Sequence, residues 1–233
     1  MSDRKENKRA LVLSSGGVDS TTCLALAVSK YGKENVTALE ISYGQKHTKE
    51  REASVNVCRH YGVEFIELDL KKIFEYSNCS LLEHSTEEIP EESYDEQIKK
   101  TDGKPVSTYV PFRNGLFLST AASIAISKDC DVIYYGIHRD DAAGSAYPDC
   151  SDEFNQAMSQ AIYLGSGKQV EIVAPFVDMN KAGVVKTGLE LGAPYELTWS
   201  CYEGGEKPCG KCGTCIDRAR AFAENGVKDP ALV

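Results

Sequence analysis

The sequence predicts an α/β protein built on a doubly wound parallel sheet, with a small cysteine-rich segment at its C-terminal end. Short apolar runs alternate with helix-like stretches along most of the chain, which is typical of successive βαβ units. A Gly pair separates the first apolar run from the first helix-like stretch, as in many α/β ligand sites. Four of the nine cysteines lie between positions 201 and 215.

This alternation predicts five strands and five helices. Crossovers between parallel strands are right-handed, so the helices of a sheet that winds outwards in both directions cover both of its faces. Ligands of such sheets bind beyond the carboxyl ends of the strands. We expect a tail over 1–8, an α/β domain over 9–195 and a cysteine-rich segment over 196–233 packed on it. The predicted strands span 9–14, 36–43, 63–70, 131–137 and 170–176, and the predicted helices 18–31, 46–61, 114–128, 151–164 and 180–191, with Ser151 a candidate cap.

Residues 77–108 interrupt this alternation. The part from Glu83 to Glu96 is acidic and contains Pro90. One interpretation is a solvated surface insertion, and the other is a lid over a ligand site, because long loops at strand ends often serve as lids.

Composition narrows the function classes. A chain of 233 residues with 42% hydrophobic residues suits one α/β domain with a small appendage. The formal charge of −9 disfavours nucleic-acid binding, since such proteins usually carry a basic face. The sequence contains neither an apolar run that could span a bilayer nor an apolar signal segment at its start, so we expect a cytoplasmic protein without membrane contact.

The segment Ser15-Gly16-Gly17-Val18-Asp19-Ser20 predicts a phosphate site. Glycines let the backbone approach an anion, and a helix N-terminus presents free N–H groups to it. An ordinary strand-to-helix turn is the alternative. The candidate nucleotide-binding residues are Ser14, Ser15, Gly16, Gly17, Val18, Asp19, Ser20, Thr21, Thr22, Cys23 and Leu24.

The loop lacks the Lys of a Walker motif, and no G-x-G-x-x-G opens a helix after a strand, so a nicotinamide enzyme is not expected. Ser-Gly-Gly-x-Asp-Ser after a strand resembles the loop of the ATP pyrophosphatases, the PP-loop superfamily. This resemblance implies an adenine nucleotide α-hydrolase-like fold and cleavage of ATP between its α- and β-phosphates.

The cysteines at 201, 209, 212 and 215 form two overlapping C-x-x-C steps plus one distant member. Four thiolates suit tetrahedral zinc with no open position, so Cys201, Cys209, Cys212 and Cys215 predict one structural zinc per chain. An iron–sulfur cluster and a redox C-x-x-C are the alternatives.

Further polar groups follow the predicted strands. Lys46 and His47 could meet phosphate or carboxylate at a helix start, or simply form a polar helix start. Arg113 offers a planar fork for phosphate, with a surface salt bridge as the alternative. Lys181 opens a predicted helix, where a cation opposes the helix dipole unless an anion intervenes; a solvated Lys is the alternative.

A second group follows the strand at 131–137. Asp141 or Asp149 could bind magnesium or an amine-bearing heterocycle, although Asp149 could instead cap the next helix. His138 is a weak base candidate, because the sequence does not indicate its partner.

Together these motifs resemble the 7-cyano-7-deazaguanine synthase family over most of the chain, from position 9 to 230. Three departures concern substrate contacts: Phe112 stands where Gly is common, Gly144-Ser145-Ala146-Tyr147 lengthens the usual Gly-Tyr approach to Pro148, and the acidic segment from Glu83 to Glu96 is poorly matched. The segments that carry the resemblance are Ser15–Cys23, Tyr43–His47, Val110–Asn114, Tyr147–Cys150, Thr198–Tyr202 and the four-cysteine knuckle.

The resemblance implies an ATP-dependent ligase of queuosine biosynthesis that converts 7-carboxy-7-deazaguanine and ammonium into a nitrile through an adenylate and an amide. It implies ATP with Mg²⁺, structural zinc and a homodimer. The implied catalytic residues are Asp19, Ser20, Arg113 and Lys181, and the implied substrate-binding residues are Gln45, His47, Asn114, Asp141, Tyr147 and Asp149. The alternatives are a tRNA base-modifying enzyme of the superfamily and a non-catalytic nucleotide-binding zinc protein.

Overall fold

The computed structural model describes residues 8–232, which form a five-stranded sheet with every strand parallel to its neighbours. The strand order is β3-β2-β1-β4-β5, so the chain winds outwards from β1 in both directions. The predicted doubly wound parallel sheet is confirmed. The strands are β1 (Ala10–Leu13), β2 (Val36–Ser42), β3 (Glu64–Asp69), β4 (Val132–Tyr134) and β5 (Glu171–Val173).

Helices cover both faces of this sheet. One core cluster joins Leu24, Val57 and Val184 to the strands, and the other joins Leu118 and Ile162 to them. Helices α1, α2 and α6 therefore pack on one face, and α4 and α5 on the other. The helices are α1 (Val18–Tyr31), α2 (Lys49–Tyr61), α3 (Tyr94–Thr101), α4 (Arg113–Ser127), α5 (Asp152–Gly165), α6 (Lys181–Glu190) and α7 (Gly213–Glu224).

Several boundaries differ from the sequence prediction. Helix α2 begins at Lys49 rather than at 46, because Gln45 bridges Leu82 and the amide of Lys46 donates to the Leu81 carbonyl. The last two strands end early, and beyond them the Tyr135 amide donates to the Val173 carbonyl and an isolated bridge joins His138 to Phe176. Helices α3 and α7 were not predicted.

The segment 77–108 leaves the sheet and packs beside its carboxyl edge. Leu82 and Ile89 are buried in a cluster that also contains three of the C-terminal cysteines. Helix α3 begins with a capping box in which Ser93 and Glu96 bond each other's backbone. A lid role for this segment stays a prediction.

Helix α7 brings the C-terminal segment onto the body of the protein. Ala221 and Phe222 pack with Val18, Val185 and Tyr195 in a separate buried cluster. Of the predicted tail over 1–8, only Lys8 lies within the described residues, where it pairs with Glu171. Among residues 8–232, no helix combines the length and apolarity that a membrane crossing requires.

Candidate functional site

A cavity of about 260 Å³ opens at the carboxyl edge of β1, β2 and β4. Ligands of open α/β sheets bind at this edge, where the strand order reverses. The cavity brings together most of the predicted site residues, although they are spread over 168 positions of the chain. Those that line it are Ser14, Ser15, Gly17, Val18, Asp19, Ser20, Gln45, Arg113, Asn114, Asp141, Tyr147, Asp149 and Lys181.

The first helix presents an uncapped N-terminus to the cavity. Gly17 is its N-cap and offers no side-chain acceptor to the first-turn amides. Ser20 Oγ bonds within the loop, accepting from the Ser15 amide at 3.2 Å and donating to the Gly17 carbonyl at 3.2 Å. An uncapped helix start carries free N–H groups and a positive partial charge, which together suit phosphate.

Gly16 shapes this loop from behind, and it does not line the cavity. Its φ is +79°, and a Cβ at this position would lie 2.4 Å from the Ser54 nitrogen and 2.5 Å from the Glu50 carbonyl oxygen. Glycine alone permits both the left-handed backbone and this approach to α2.

Asp19 and Lys181 form an ion pair at the mouth of the loop. Lys181 Nζ lies 2.5 Å from Asp19 Oδ2, and both side chains are mostly buried. Burial is the largest single effect and opposes the ionisation of Asp19, but the charge and hydrogen bond of Lys181 together with the nearby His138 outweigh it and lower the pKa of the carboxyl. The other carboxylate oxygen, Oδ1, is buried without a hydrogen bond among residues 8–232. Lys181 opens α6, as predicted.

The His138 ring lies next to two carboxylates on this side of the cavity. Its Nε2 lies 3.3 Å from Asp141 Oδ1 and 4.0 Å from Asp19 Oδ1. The His138 amide donates to Asp141 Oδ2 at 3.2 Å. Burial raises the pKa of Asp141. The structure thus supplies the partner of His138 that the sequence did not indicate.

Arg113 lies at another part of the cavity wall, stacked on aromatic rings. Its guanidinium carbon is 5.1 Å from the Tyr43 ring centre and 6.0 Å from that of Phe117. Burial opposes its charge, but Tyr43 and Asp149 keep its pKa above the ordinary value. Burial also raises the pKa of Glu50, against the effect of Arg113, to about 7. A cation held this way remains available to an anionic ligand.

Asp149 caps a helix, but not the one expected. Its Oδ2 accepts the Asn114 amide at 2.8 Å at the start of α4, and Asn114 Nδ2 donates to the Asp149 carbonyl at 3.2 Å. The following helix α5 is capped by Ser151, which accepts from the Phe154 amide as predicted. The alternative in which Asp149 caps the next helix is therefore wrong.

Tyrosines form a further part of the wall. Tyr147 shares a 2.6 Å hydrogen bond with Thr108, and burial raises its pKa to about 12. Tyr94 of α3 and Tyr202 share one of 2.7 Å. These rings supply flat apolar surface with hydroxyl groups, which suits an aromatic ligand.

The remaining predicted residues lie elsewhere. Thr22 bonds the Val18 carbonyl and Tyr195, while Cys23 and Leu24 belong to the core. The Thr21 hydroxyl is buried without a partner among residues 8–232. These four lie further along α1 than the loop, and none of them lines the cavity. His47 does not line the cavity either; its ring packs 6.4 Å from that of Trp199, beside the cysteine segment.

The four C-terminal cysteines converge as predicted. Their sulfur atoms all lie within 4.8 Å of one another, and three of the four side chains are buried. The amides of Glu203 and Cys209 point at Cys201 Sγ, at 3.4 and 3.3 Å. Such N–H groups stabilise negative sulfur, so the cluster suits a metal bound by four thiolates.

Sequence reasoning missed other cavity residues. Glu40 is the single charged residue of a buried apolar strand, which is the signal that could have found it. Tyr94 and Asp217 also line the cavity. They were missed because helices α3 and α7 were not predicted.

The chain is similar to proteins with an assigned role. The sequence model of the family described as "Queuosine biosynthesis protein QueC" matches residues 9–226. Three similar proteins are named 7-cyano-7-deazaguanine synthase. That of Archaeoglobus fulgidus is 44% identical over 96% of this chain and 90% of its own. That of Caldicellulosiruptor saccharolyticus is 45% identical over 95% and 94%, and that of Marinomonas sp. is 41% identical over 96% and 97%.

A solved structure, the U34-tRNA thiolase NcsA from Methanococcus maripaludis with its [4Fe-4S] cluster, superposes with a TM-score of 0.49 at 18% identity, over 94% of this chain and 66% of that chain. The match to the family model and the identities over nearly the whole chain lead to one conclusion. The chain belongs to the QueC family of queuosine biosynthesis proteins.

Proposed function

We propose that the protein is an ATP-dependent 7-cyano-7-deazaguanine synthase, which converts 7-carboxy-7-deazaguanine and ammonia into the 7-cyano compound. One observation carries the proposal: a single cavity joins the uncapped N-terminus of α1 and Lys181 to the aromatic wall around Arg113. The first part suits the phosphates of ATP, and the second suits a flat heterocyclic acid. The names of the relatives supply the reaction.

The chemistry explains why both parts are required. A carboxylate is a poor acyl donor, because oxide would have to leave. Attack of a carboxylate oxygen on the α-phosphorus forms a mixed anhydride and releases pyrophosphate; ammonia then displaces AMP to give the amide. A second ATP activates the amide oxygen in the same way, releasing pyrophosphate and one N–H proton, and loss of AMP with the second N–H proton leaves the nitrile.

The residues act by positioning and by neutralising charge. The first-turn amides of α1, held by Gly16 and Ser20, bind pyrophosphate oxygens. Lys181 exchanges part of its contact with Asp19 for phosphate, and Arg113 offsets the charge that develops during transfer. Mg²⁺ would offset phosphate charge, and Asp19 Oδ1, which has no hydrogen bond among residues 8–232, is the free oxygen that fits it.

We further propose that the cysteine cluster holds structural zinc. A tetrahedron with metal–sulfur bonds of 2.3 Å places its sulfurs about 3.8 Å apart. Sulfur atoms that all lie within 4.8 Å fit this better than a four-iron cluster, in which each thiolate binds a different iron. Metal analysis should find about one zinc and no iron per chain; bound iron with acid-labile sulfide would contradict the assignment.

The reaction is tested with the purified protein, ATP, Mg²⁺, ammonium and 7-carboxy-7-deazaguanine. Mass spectrometry should detect the nitrile and AMP, whereas ADP as the sole nucleotide product would contradict adenylation. Ser20→Ala should lower turnover while the protein stays folded and keeps its zinc, although loss of the loop hydrogen bonds of Ser20 should lower the melting temperature slightly. Ser119→Ala is a matched control, because the Ser119 hydroxyl donates to the Gly115 carbonyl within α4 and Ser119 does not line the cavity.

A further inference from the structure

A buried carboxyl group in the cavity wall has no role in the chemistry above. Glu40 is 3% exposed, lies on β2 and lines the cavity. Its hydrogen-bonding contacts among residues 8–232 are with Ser42 Oγ, 3.4 and 3.5 Å from the two carboxyl oxygens. A hydroxyl has one proton, so at least one oxygen of this carboxyl has no donor. Buried polar groups are normally satisfied, which indicates that a ligand completes the site.

Among residues 8–232, Glu40 forms no ion pair of its own. The neighbouring strand places Glu67 in register with it, and Arg51 of α2 is bound by two nitrogens to that Glu67. Glu50 of α2 adds a further acidic neighbour. Burial, reinforced by Glu67, raises the pKa of Glu40 to about 7, against the smaller opposing effects of Arg51 and the Ser42 hydroxyl. At neutral pH much of the group therefore carries its proton and offers one donor and one acceptor side by side.

The position of Glu40 places it beside the nucleotide loop. The Ser14 amide donates to the Leu39 carbonyl at 2.8 Å, so Glu40 lies one residue beyond the point where β2 meets the start of the loop. Leu39 and Ile41 line the same cavity and supply apolar surface for a ring. Arg113 and Asp149, by contrast, do not belong to β2 or to the loop: Arg113 begins α4, and Asp149 lies in the turn before α5.

A protonated carboxyl group offers a donor beside an acceptor, which matches the N1 acceptor and the adjacent exocyclic N–H donor of adenine. It could also pair with the O6 acceptor and the N1–H donor of a guanine-type ring, so the position of Glu40 beside the nucleotide loop decides in favour of adenine. Enzymes commonly recognise bases by hydrogen bonds to this edge.

We propose that Glu40 recognises the adenine of ATP, donating its O–H to N1 and accepting the exocyclic N–H on its carbonyl oxygen. This rests on the proposed function, because it assumes that ATP occupies the cavity. In this proposal Glu40 binds the adenine ring of ATP, and the aromatic wall binds the deazaguanine acid.

Two variants separate this role from a structural one. In Glu40→Gln the amide keeps one donor and one acceptor, so ATP affinity at pH 7 should stay within about threefold of the parent. In Glu40→Met, of similar shape without hydrogen bonds, the dissociation constant for ATP, measured by equilibrium dialysis, should rise roughly 10- to 100-fold, as expected for two neutral hydrogen bonds. The KM for 7-carboxy-7-deazaguanine should not change in either variant.

Purine riboside triphosphate, which lacks the exocyclic amine, and pH provide independent measurements. The parent should bind ATP about tenfold better than this analogue, and Glu40→Met should bind both equally. ATP affinity of the parent should fall from pH 7 to 9 as Glu40 ionises. In Glu40→Gln that fall should be smaller, because only the contribution of Glu50, which titrates in both proteins, remains.

The outcomes are distinct. A folded Glu40→Met variant with unchanged ATP affinity, or a raised KM for the acid alone, would overturn the assignment while turnover by the parent upholds the proposed function. Equal pH profiles of the parent and Glu40→Gln would also overturn it. If the parent itself neither binds ATP nor forms the nitrile, the proposed function fails first.

Discussion

The ion pair between Asp19 and Lys181 permits a quantitative test of the loop. Asp19→Asn removes one charge and leaves the ammonium of Lys181 beside a neutral amide. The side chains are 24% and 16% exposed, and the two atoms lie 2.5 Å apart. Breaking a fully buried pair costs about 3–5 kcal/mol, and exposed pairs contribute about 1 kcal/mol or less. For this intermediate exposure we expect the unfolding free energy to fall by about 1–3 kcal/mol.

The pH dependence follows from the lowered pKa of Asp19. The folded-state pKa lies below the unfolded value, so the carboxylate contributes stability above the unfolded pKa of about 3.9. This contribution is lost as the pH falls through the folded-state value. The difference between the parent and Asp19→Asn should therefore be constant from pH 5 to 8 and disappear in acid.

Urea unfolding of the parent, Asp19→Asn, Lys181→Met and the double variant measures the coupling. The exposed pair of Lys8 and Glu171, at 3.3 Å, is the matched control and should show little coupling. Zero coupling between Asp19 and Lys181 at pH 7, or a difference that persists unchanged below pH 3, would refute the reasoning. Turnover by Asp19→Asn should fall about 100-fold, as for loss of a preorganised charge.

Three further predictions concern the frame around the cavity. Gly16→Ala should lower the melting temperature and ATP affinity, because its Cβ would collide with the Ser54 backbone; near-parental values of both, from thermal unfolding and equilibrium dialysis, would contradict this. Arg218→Met should cost about 3–5 kcal/mol in urea unfolding by stranding the buried Asp229, and Arg218→Met with Asp229→Leu should recover most of it. Failure of the double variant to recover would argue against an ion-pair effect. Cys215→Ser should lower zinc content and the melting temperature together, and a loss of zinc without a change in melting temperature would show that the site is not structural.

The parallel sheet and its helices could be predicted because their apolar periodicity is strong and the strands are buried. Element boundaries that depend on contacts between distant parts of the chain could not be predicted. Helix α2 starts three residues late because residues 45 and 46 pair with 81 and 82. Helix α7 begins inside the cysteine cluster, because Cys212 is its N-cap and Gly213 its first residue. The cysteine spacing predicts a metal site, and it does not by itself indicate that a helix starts there.

The site was predictable where a motif carries its own geometry and not elsewhere. The loop at 15–20 and the cysteines fall where they were expected. Phe112, a noted departure, has a φ of 54°, which explains why a glycine would be common there. Gly115 makes room for its ring, since a Cβ there would lie 2.4 Å from it. This compensation depends on helical spacing and contact and could not be inferred from either residue alone.

The cysteine cluster and the cavity share one strip of backbone, Trp199–Tyr202. The Trp199 amide donates to the Gly16 carbonyl at 3.0 Å, and Trp199, Ser200 and Tyr202 line the cavity, while Cys201 between them faces the other cysteines. Thr214, at the start of α7, donates to the Ser200 carbonyl at 2.5 Å. Because a metal would fix Cys201, it would fix the neighbouring residues that form the cavity wall and hold the loop. A closed metal site that takes no part in the chemistry can thus determine the shape of the cavity in which the chemistry occurs.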